Sequence, residues 1–334
     1  MLAVAATLTG VATPGYAAPG HPAPETTART GVPAVTAASP DEQQPPGPSE
    51  KVDGPAGTLA APTRLTAANF RLQPTSYSPI IAQLDAVLPR VSVSTVVGDG
   101  NRAATSCSAN AANRLASFCW NSGDNNVTYW MPQGITTSAD AYQAGDYEGE
   151  TVILVSWYDD GSDGIDRGVR VSFVDYSTPS APTYRHVLLV EPITSGGQPS
   201  FRAINIHAGG IFWYGYYLYV ADTYNGFRVF DLRHLWRVST TNSSRIGRQS
   251  DGSYQAYGYK YVLPQALAYR RSTTGGYTDL RFSFVALDRT STPDSVIVGE
   301  YGYPGTGTRV VRFPIDYTTR MLTTSSDGYA HGSE

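Results

Sequence analysis

A four-residue word, Gly-x-Arg-Val, recurs at Gly168-Val169-Arg170-Val171, Gly226-Phe227-Arg228-Val229 and Gly307-Thr308-Arg309-Val310. Each copy opens a short run that reaches an Asp, at Asp175, Asp231 and Asp316. The spacings of 58 and 81 residues fit one supersecondary unit carrying insertions of different length. An apolar run and a polar loop precede each copy: Val152 to Val155 with an Asp-rich loop, Leu218 to Ala221 with Asp222-Thr223-Tyr224-Asn225, and Val296 to Val298 with a Gly-rich loop. Ahead of the hairpins stand similar lead-ins, Pro132-Gln133-Gly134-Ile135, Ala208-Gly209-Gly210-Ile211 and Pro264-Gln265-Ala266-Leu267. Runs this short, bounded by Gly, Asp, Ser and Pro, are strand and turn signals, and none alternates with a helix long enough to cover a parallel sheet. Such a unit leaves an apolar face open, so neighbouring units must stack. The expected fold is all-β, a β-propeller over residues 131–334, with a β-sandwich as the competing arrangement. Three clear units are fewer than the four a closed ring needs. Either residues 64–130 supply a degenerate blade or the propeller is incomplete, C-terminally truncated; the polar run Thr323 to Tyr329, with no strand visible after Ile315, favours truncation.

The chain ahead of this body reads differently. Leu2 to Val11 are small and apolar and run into Gly15-Tyr16-Ala17-Ala18, where a signal peptidase would cut after Ala17 or Ala18. Residues 1–18 are therefore expected to be a signal peptide and the protein secreted and extracellular; the missing positive n-region is explained by a start placed too far downstream. A stretch of about ten apolar residues is too short to span a bilayer, and no other segment reads as transmembrane. Residues 19–63 are Pro, Ala, Thr, Glu and Gly with almost no large apolar side chain, the composition of a disordered tail. Residues 64–130 are expected to hold short helices and a disulfide, packed on the propeller. Ser78-Pro79 offers a helix start, and Ile80, Ile81, Leu84, Val87 and Leu88 share one helical face before Pro89 ends it. A second helix is expected between Cys107 and Cys119, where Leu115, Phe118 and Cys119 sit at helical spacing. Outside the cytoplasm this close cysteine pair reads as a disulfide, because a zinc site would want four ligands and no His lies nearby.

Ala208 to Leu232 carries Ala-Gly-Gly-Ile-Phe-Trp, then Tyr-Leu-Tyr-Val-Ala-Asp-Thr, then Asn-Gly-Phe-Arg-Val-Phe-Asp-Leu. This resembles the blade signature of secreted bacterial β-propellers, including NHL-type and gluconolactonase-like proteins, and the whole chain resembles uncharacterised secreted proteins of actinobacteria. In the lactonase-like family an Asp after the tyrosine-rich strand helps hold a divalent metal, and the resemblance puts Asp222 at that place. Ala208-Gly209 stands where that family has Asn-Gly, and its Glu-Gly-Pro lead-in has no equivalent here.

Other candidates come from the residues themselves. Asp159, Asp160, Asp163 and Asp166 crowd one hairpin loop, where oxygen ligands could hold calcium, although Gly161 and Arg170 fall where an EF-hand needs carboxylates. His207 precedes the Gly-rich lead-in and could point into a central channel. Trp213, Tyr214 and Tyr216 belong to an aromatic run whose exposed rings would stack on sugars or flat ligands. Only Lys51 and Lys260 among the 24 basic residues are Lys, and the net charge is −4, so no basic face invites nucleic acid. No Gly-x-Ser-x-Gly elbow, phosphate loop or His-Glu-x-x-His is present. The expected function is an extracellular binding or scaffold module for a carbohydrate, protein or envelope ligand, with no cofactor unless calcium. The competing expectation is a metal-dependent lactonase or lyase using Asp222.

Overall fold

The computed structural model describes residues 63–108, 111–114, 116–302 and 308–333. The expected signal peptide and residues 19–62 of the expected tail lie outside the described residues, as do Leu115 and Gly307. The described chain is mostly β, and its strands form three antiparallel meanders. The first runs Trp130–Thr137, Val152–Asp159, Val169–Asp175 and Thr183–Ser195. The second runs Ile211–Tyr214, Tyr217–Asp222, Gly226–Asp231 and Tyr261–Thr273. The third runs Phe284–Asp288, Ser295–Gly299 and Val310–Pro314. The described residues of each repeated Gly-x-Arg-Val word open a third strand or lead directly into it.

The last strands of the first two meanders join in parallel, Val262 to Pro264 against Leu188 to Val190. Their first strands also lie side by side: Trp213 donates its backbone N–H to the Thr136 hydroxyl at 3.1 Å, and Gly134 sits so close to Gly210 and Ile211 that a Cβ would clash. The eight-strand path therefore nearly closes on itself, like a barrel. The third meander continues the series, with Gly209 against Ser283 and Gly210 against Val285. Rising residue numbers match rising numbers at both junctions, so the three first strands run in the same direction. Backbone contacts this close need residues without a Cβ, which is why Gly134, Gly209 and Gly210 stand there.

Alternation along the strands assigns the faces. Val152, Leu154, Val171, Phe173, Val187 and Leu189 of the first meander share one apolar core with Ile211, Trp213, Leu218, Val220 and Phe230 of the second. The other face of the second meander carries stacked rings, Phe212 on Tyr219 at 4.3 Å with Phe227 edge-on, and meets the third meander through Phe282.

Four details differ from the sequence reading. Pro264 to Leu267 belongs to the last strand of the second meander; the third meander opens at Phe284, because Pro264-Gln265 imitates the true lead-in only locally. Among the described residues no helix lies between the cysteines, where Thr105–Ser106 pairs with Phe118–Cys119 instead. A helix does form at Val93–Gly98, capped by the Ser92 hydroxyl accepting from Thr95 N–H, and buries Val93, Val96 and Val97 in the shared core. The polar end does not stay strandless: Ala330–His331 pairs with Phe70–Pro74, which in turn pairs with the last strand of the second meander. The expected helix is present at Ile80–Asp85, with Ile81, Leu84 and Leu88 buried and Val87 exposed. Cys107 and Cys119 form the expected disulfide. No helix among the described residues is long and apolar enough to cross a membrane.

Candidate functional site

In an antiparallel meander the hairpin between second and third strands lies at the end where the first strand begins. Because the three first strands run together in one direction, all three hairpins gather at one end of the molecule, beside the segment that leads into the second meander. Asp159, Asp160, Asp163, Asp222 and His207 all belong to this end. The backbone confirms the grouping, since Gly168 lies against the Ile204 carbonyl and Phe282 donates its N–H to the Thr223 carbonyl.

The carboxylates there are already engaged. Asp222, 3% exposed, accepts from Arg228 Nε at 3.0 Å and from Asn225 Nδ2 at 2.8 Å. Arg228 also donates to Gln265 Oε1 at 2.7 Å. Asp159 accepts from Arg167 NH1 at 2.8 Å and from the N–H groups of Gly161 and Arg167. Asp163 takes the other arm of Arg167 at 2.6 Å, which holds its carboxyl below the usual range. Asp160 and Asp166 accept from the N–H groups of Ser162 and Gly168. In the third hairpin Glu300 accepts from Arg309 Nε at 2.7 Å; burial would raise its carboxyl, but the Arg309 hydrogen bonds outweigh it and lower it. Each hairpin is thus closed by one carboxylate leaving the second strand and one arginine at or just before the third: Asp159–Arg167, Asp222–Arg228 and Glu300–Arg309. Charge-assisted pairs of this kind are the strong hydrogen bonds of a fold. They account physically for two of the three repeated arginines. Among the described residues no group of three or more His, Cys, Asp or Glu side chains is placed to hold a metal ion.

His207 is the candidate that remains open. Its ring, half-buried, lies 4.1 Å from that of Tyr158, also half-buried, and forms no hydrogen bond among the described residues. Burial lowers its pKa, so the imidazole is neutral at neutral pH. The next residue, Ala208, is fully buried at φ 51°, a conformation L-residues adopt at a cost. Its carbonyl accepts from the Ser156 hydroxyl at 3.0 Å, and Ser156 in turn accepts from Gly134 N–H at 2.9 Å. The first and second strands of the first meander, through Gly134 and Ser156, therefore fix the backbone that presents His207. A neutral, unpartnered imidazole against a phenol ring can stack on a ligand and exchange one hydrogen bond with it.

The aromatic candidates divide. Trp213 is fully buried in the core beside Tyr147, with no acceptor for its indole N–H among the described residues. Tyr214 is also fully buried; burial, reinforced by its hydrogen bond to Asp294 at 2.8 Å, pushes its phenol up to about 12. Tyr216 is half-buried at the opposite end, where the Arg233 guanidinium covers its face at 3.7 Å. These three rings are not brought together with His207.

One constellation was missed by sequence reasoning. On the outer face of the first meander, Trp157 donates its indole N–H to Ser172 Oγ at 2.7 Å, and Ser172 Oγ lies 3.0 Å from His186 Nδ1. Trp157 can only donate and the Asp124 carboxylate beside Nε2 can only accept, so Ser172 gives its proton to Nδ1 and the imidazole proton is assigned to Nε2. That nitrogen is 3.0 Å from Asp124 Oδ1, although its N–H is not aligned with that oxygen, so the contact is electrostatic. Asp124 is meanwhile held by Arg170 at 3.1 Å, Arg102 at 2.8 Å and the Tyr184 hydroxyl at 2.7 Å. Burial, with Arg170 beside it, drops His186 to about 3. Burial would raise Asp124, but His186, Arg170 and Tyr184 outweigh it and bring it well below the usual carboxylate range. The order Ser, His, Asp has the look of a hydrolytic triad, but Ser172 is fully buried and its hydroxyl is used on both sides. The array is a fastening: it pins the segments that carry Arg102 and Asp124 onto the first meander.

The fold and site define a mostly-β protein of stacked antiparallel meanders with an open histidine–tyrosine corner at the end where their hairpins gather. Comparison with protein-family models, with curated proteins and with solved structures returned no match. The likeness to NHL-type and gluconolactonase-like propellers therefore rests on the residues quoted from the sequence.

Proposed function

We propose that this chain is a secreted binding module whose meanders act as propeller-type blades, and that it takes its ligand at the hairpin end, against His207 and Tyr158. The observation that supports this most is a contrast at that end: the carboxylates are tied to arginines or to backbone N–H groups, while the one stacked imidazole has no partner. A surface of neutral, stacking and hydrogen-bonding groups suits a carbohydrate or other uncharged cyclic ligand better than a metal-assisted reaction. The lactonase-type reading needs Asp222 as a metal ligand, and Asp222 would first have to leave Arg228.

Isothermal titration with soluble β-linked oligosaccharides and peptidoglycan fragments, on wild type and on His207→Ala and Tyr158→Ala, tests the proposal. Binding lost at least about tenfold in both variants, equivalent to roughly 1.4 kcal/mol, is the expected result. Binding unchanged in both variants would move the site elsewhere. Stoichiometric calcium, manganese or zinc that disappears in Asp222→Ala would favour the enzyme instead.

A further inference from the structure

The repeated word gives each meander two comparable faces. One carries the word's first or third residue, and in the first two meanders the valine that ends the word, Val171 or Val229, points to the face covered by the next meander; both are 0% exposed. Its counterpart in the third meander, Val310, is 58% exposed. The cross-strand register puts Phe284, Ala286, Ile297 and Arg312 on the same face as Val310. Phe284 is 46% exposed and its ring is folded down over Gly299, where any Cβ would clash with it. The opposite face of the same sheet, with Val296, Val298, Val311 and Phe313, is buried. Among the described residues, the third meander therefore presents uncovered the face that its two predecessors bury.

We infer that this face is covered by a second copy of the chain, face to face about a twofold axis. Charge and closure carry the choice of occupant. The charged side chains of the face are Arg312 and Asp288, which pair with each other at 2.5 Å, so two copies can meet without like-charge repulsion. A head-to-tail contact would need the outer face of the first meander, and that face is sealed by Trp120 packed on Trp157 at 4.8 Å and by the Asp124 array. With that flank closed, the remaining symmetric solution is an isologous contact of the third meander with itself, which gives a closed dimer instead of a filament. Two apolar sheet faces pack about 10 Å apart at a small angle, an ordinary sandwich geometry.

Sedimentation velocity on the full chain across a concentration series tests the inference, together with Phe284→Glu and Val310→Glu. The expected result is a dimer in wild type whose dissociation constant rises about 100-fold or more in each variant, the effect of a charge in the centre of an interface. Near-UV circular dichroism checks that each variant keeps its packing. Phe284→Cys, Ile297→Cys and Val310→Cys, made singly, supply an independent reading, since a twofold axis through the face passes beside one of these positions and oxidation of that variant yields a covalent dimer. A wild-type monomer at tens of micromolar, or a dimer that both glutamate variants leave intact, would overturn the inference. The first outcome would assign the face to another chain and the second would place the contact elsewhere.

Discussion

The two flanks of the stack carry related sheets and opposite surfaces. On the first meander the outer face is polar within, with Arg170, Ser172, His186 and Tyr184 in alternate positions, and it is sealed by a flap bearing Asp124, Arg102 and Trp120. On the third meander the outer face is apolar and open. The sealed flank shows that buried polar side chains are tolerated where each makes at least one hydrogen bond, even though Arg170 Nε and His186 Nε2 make none, and that the partners then specify what covers the sheet. The open flank shows that a repeated word does not by itself bury a residue. Burial comes from whatever stacks next.

The comparison is most severely tested by removing its fastening. Asp124→Ala leaves the buried Arg170 and the half-buried Arg102 without their carboxylate, and a loss of about 3–5 kcal/mol in unfolding free energy is expected from chemical denaturation. Acid should act on the same array. The folded-state pKa of His186 is depressed from 6.5 to about 3, so the unfolded chain binds more protons between those values. Stability is then complete above 6.5 and falls as pH drops towards 3; Asp124, also depressed, adds a loss in the same direction at the acid end. A melting temperature constant between pH 4 and 7 would contradict the assignment of His186 as buried and neutral. Replacing both Cys107 and Cys119 by Ser is expected to cost up to about 3 kcal/mol, confined to the flap, which protease cleavage within 102–130 would reveal.

Smaller effects sharpen the contrast between equivalent positions. Val229→Ala is expected to cost about 2 kcal/mol, because the methyls are removed from a closed core. Val310→Ala, measured at dilutions where the chain is monomeric, should cost less than about 0.5 kcal/mol. Equal costs at the two sites would mean that the third meander is covered within a single chain.

The sequence announced the strands and their order more clearly than the site. Gly-x-Arg-Val marked three third strands because each uses its arginine for a clasp or a buried carboxylate and the first two use its valine for the stacked face. Its carboxylate partners were visible as Asp222 and the Asp159 loop, but sequence could not distinguish a metal ligand from one half of an ion pair. The Val93–Gly98 helix was illegible because alternating Val and Ser imitate a strand, and only the Ser92 cap and the core under Val96 decide otherwise. The Asp124 array was illegible for another reason: residues 102, 124, 157, 170, 172, 184 and 186 meet only through sheet register, and no local spacing encodes that. His207 was legible as a place, just before a Gly-rich lead-in, and its partner Tyr158 was not.

The most direct test of the contrast between flanks is hydrogen–deuterium exchange on the full chain at two concentrations about a hundredfold apart. The account predicts that amides in Val152–Asp159 and Val169–Asp175 exchange slowly and identically at both, while protection in Phe284–Asp288 and Val310–Pro314 rises with concentration. Equal, concentration-independent protection at both flanks would contradict it.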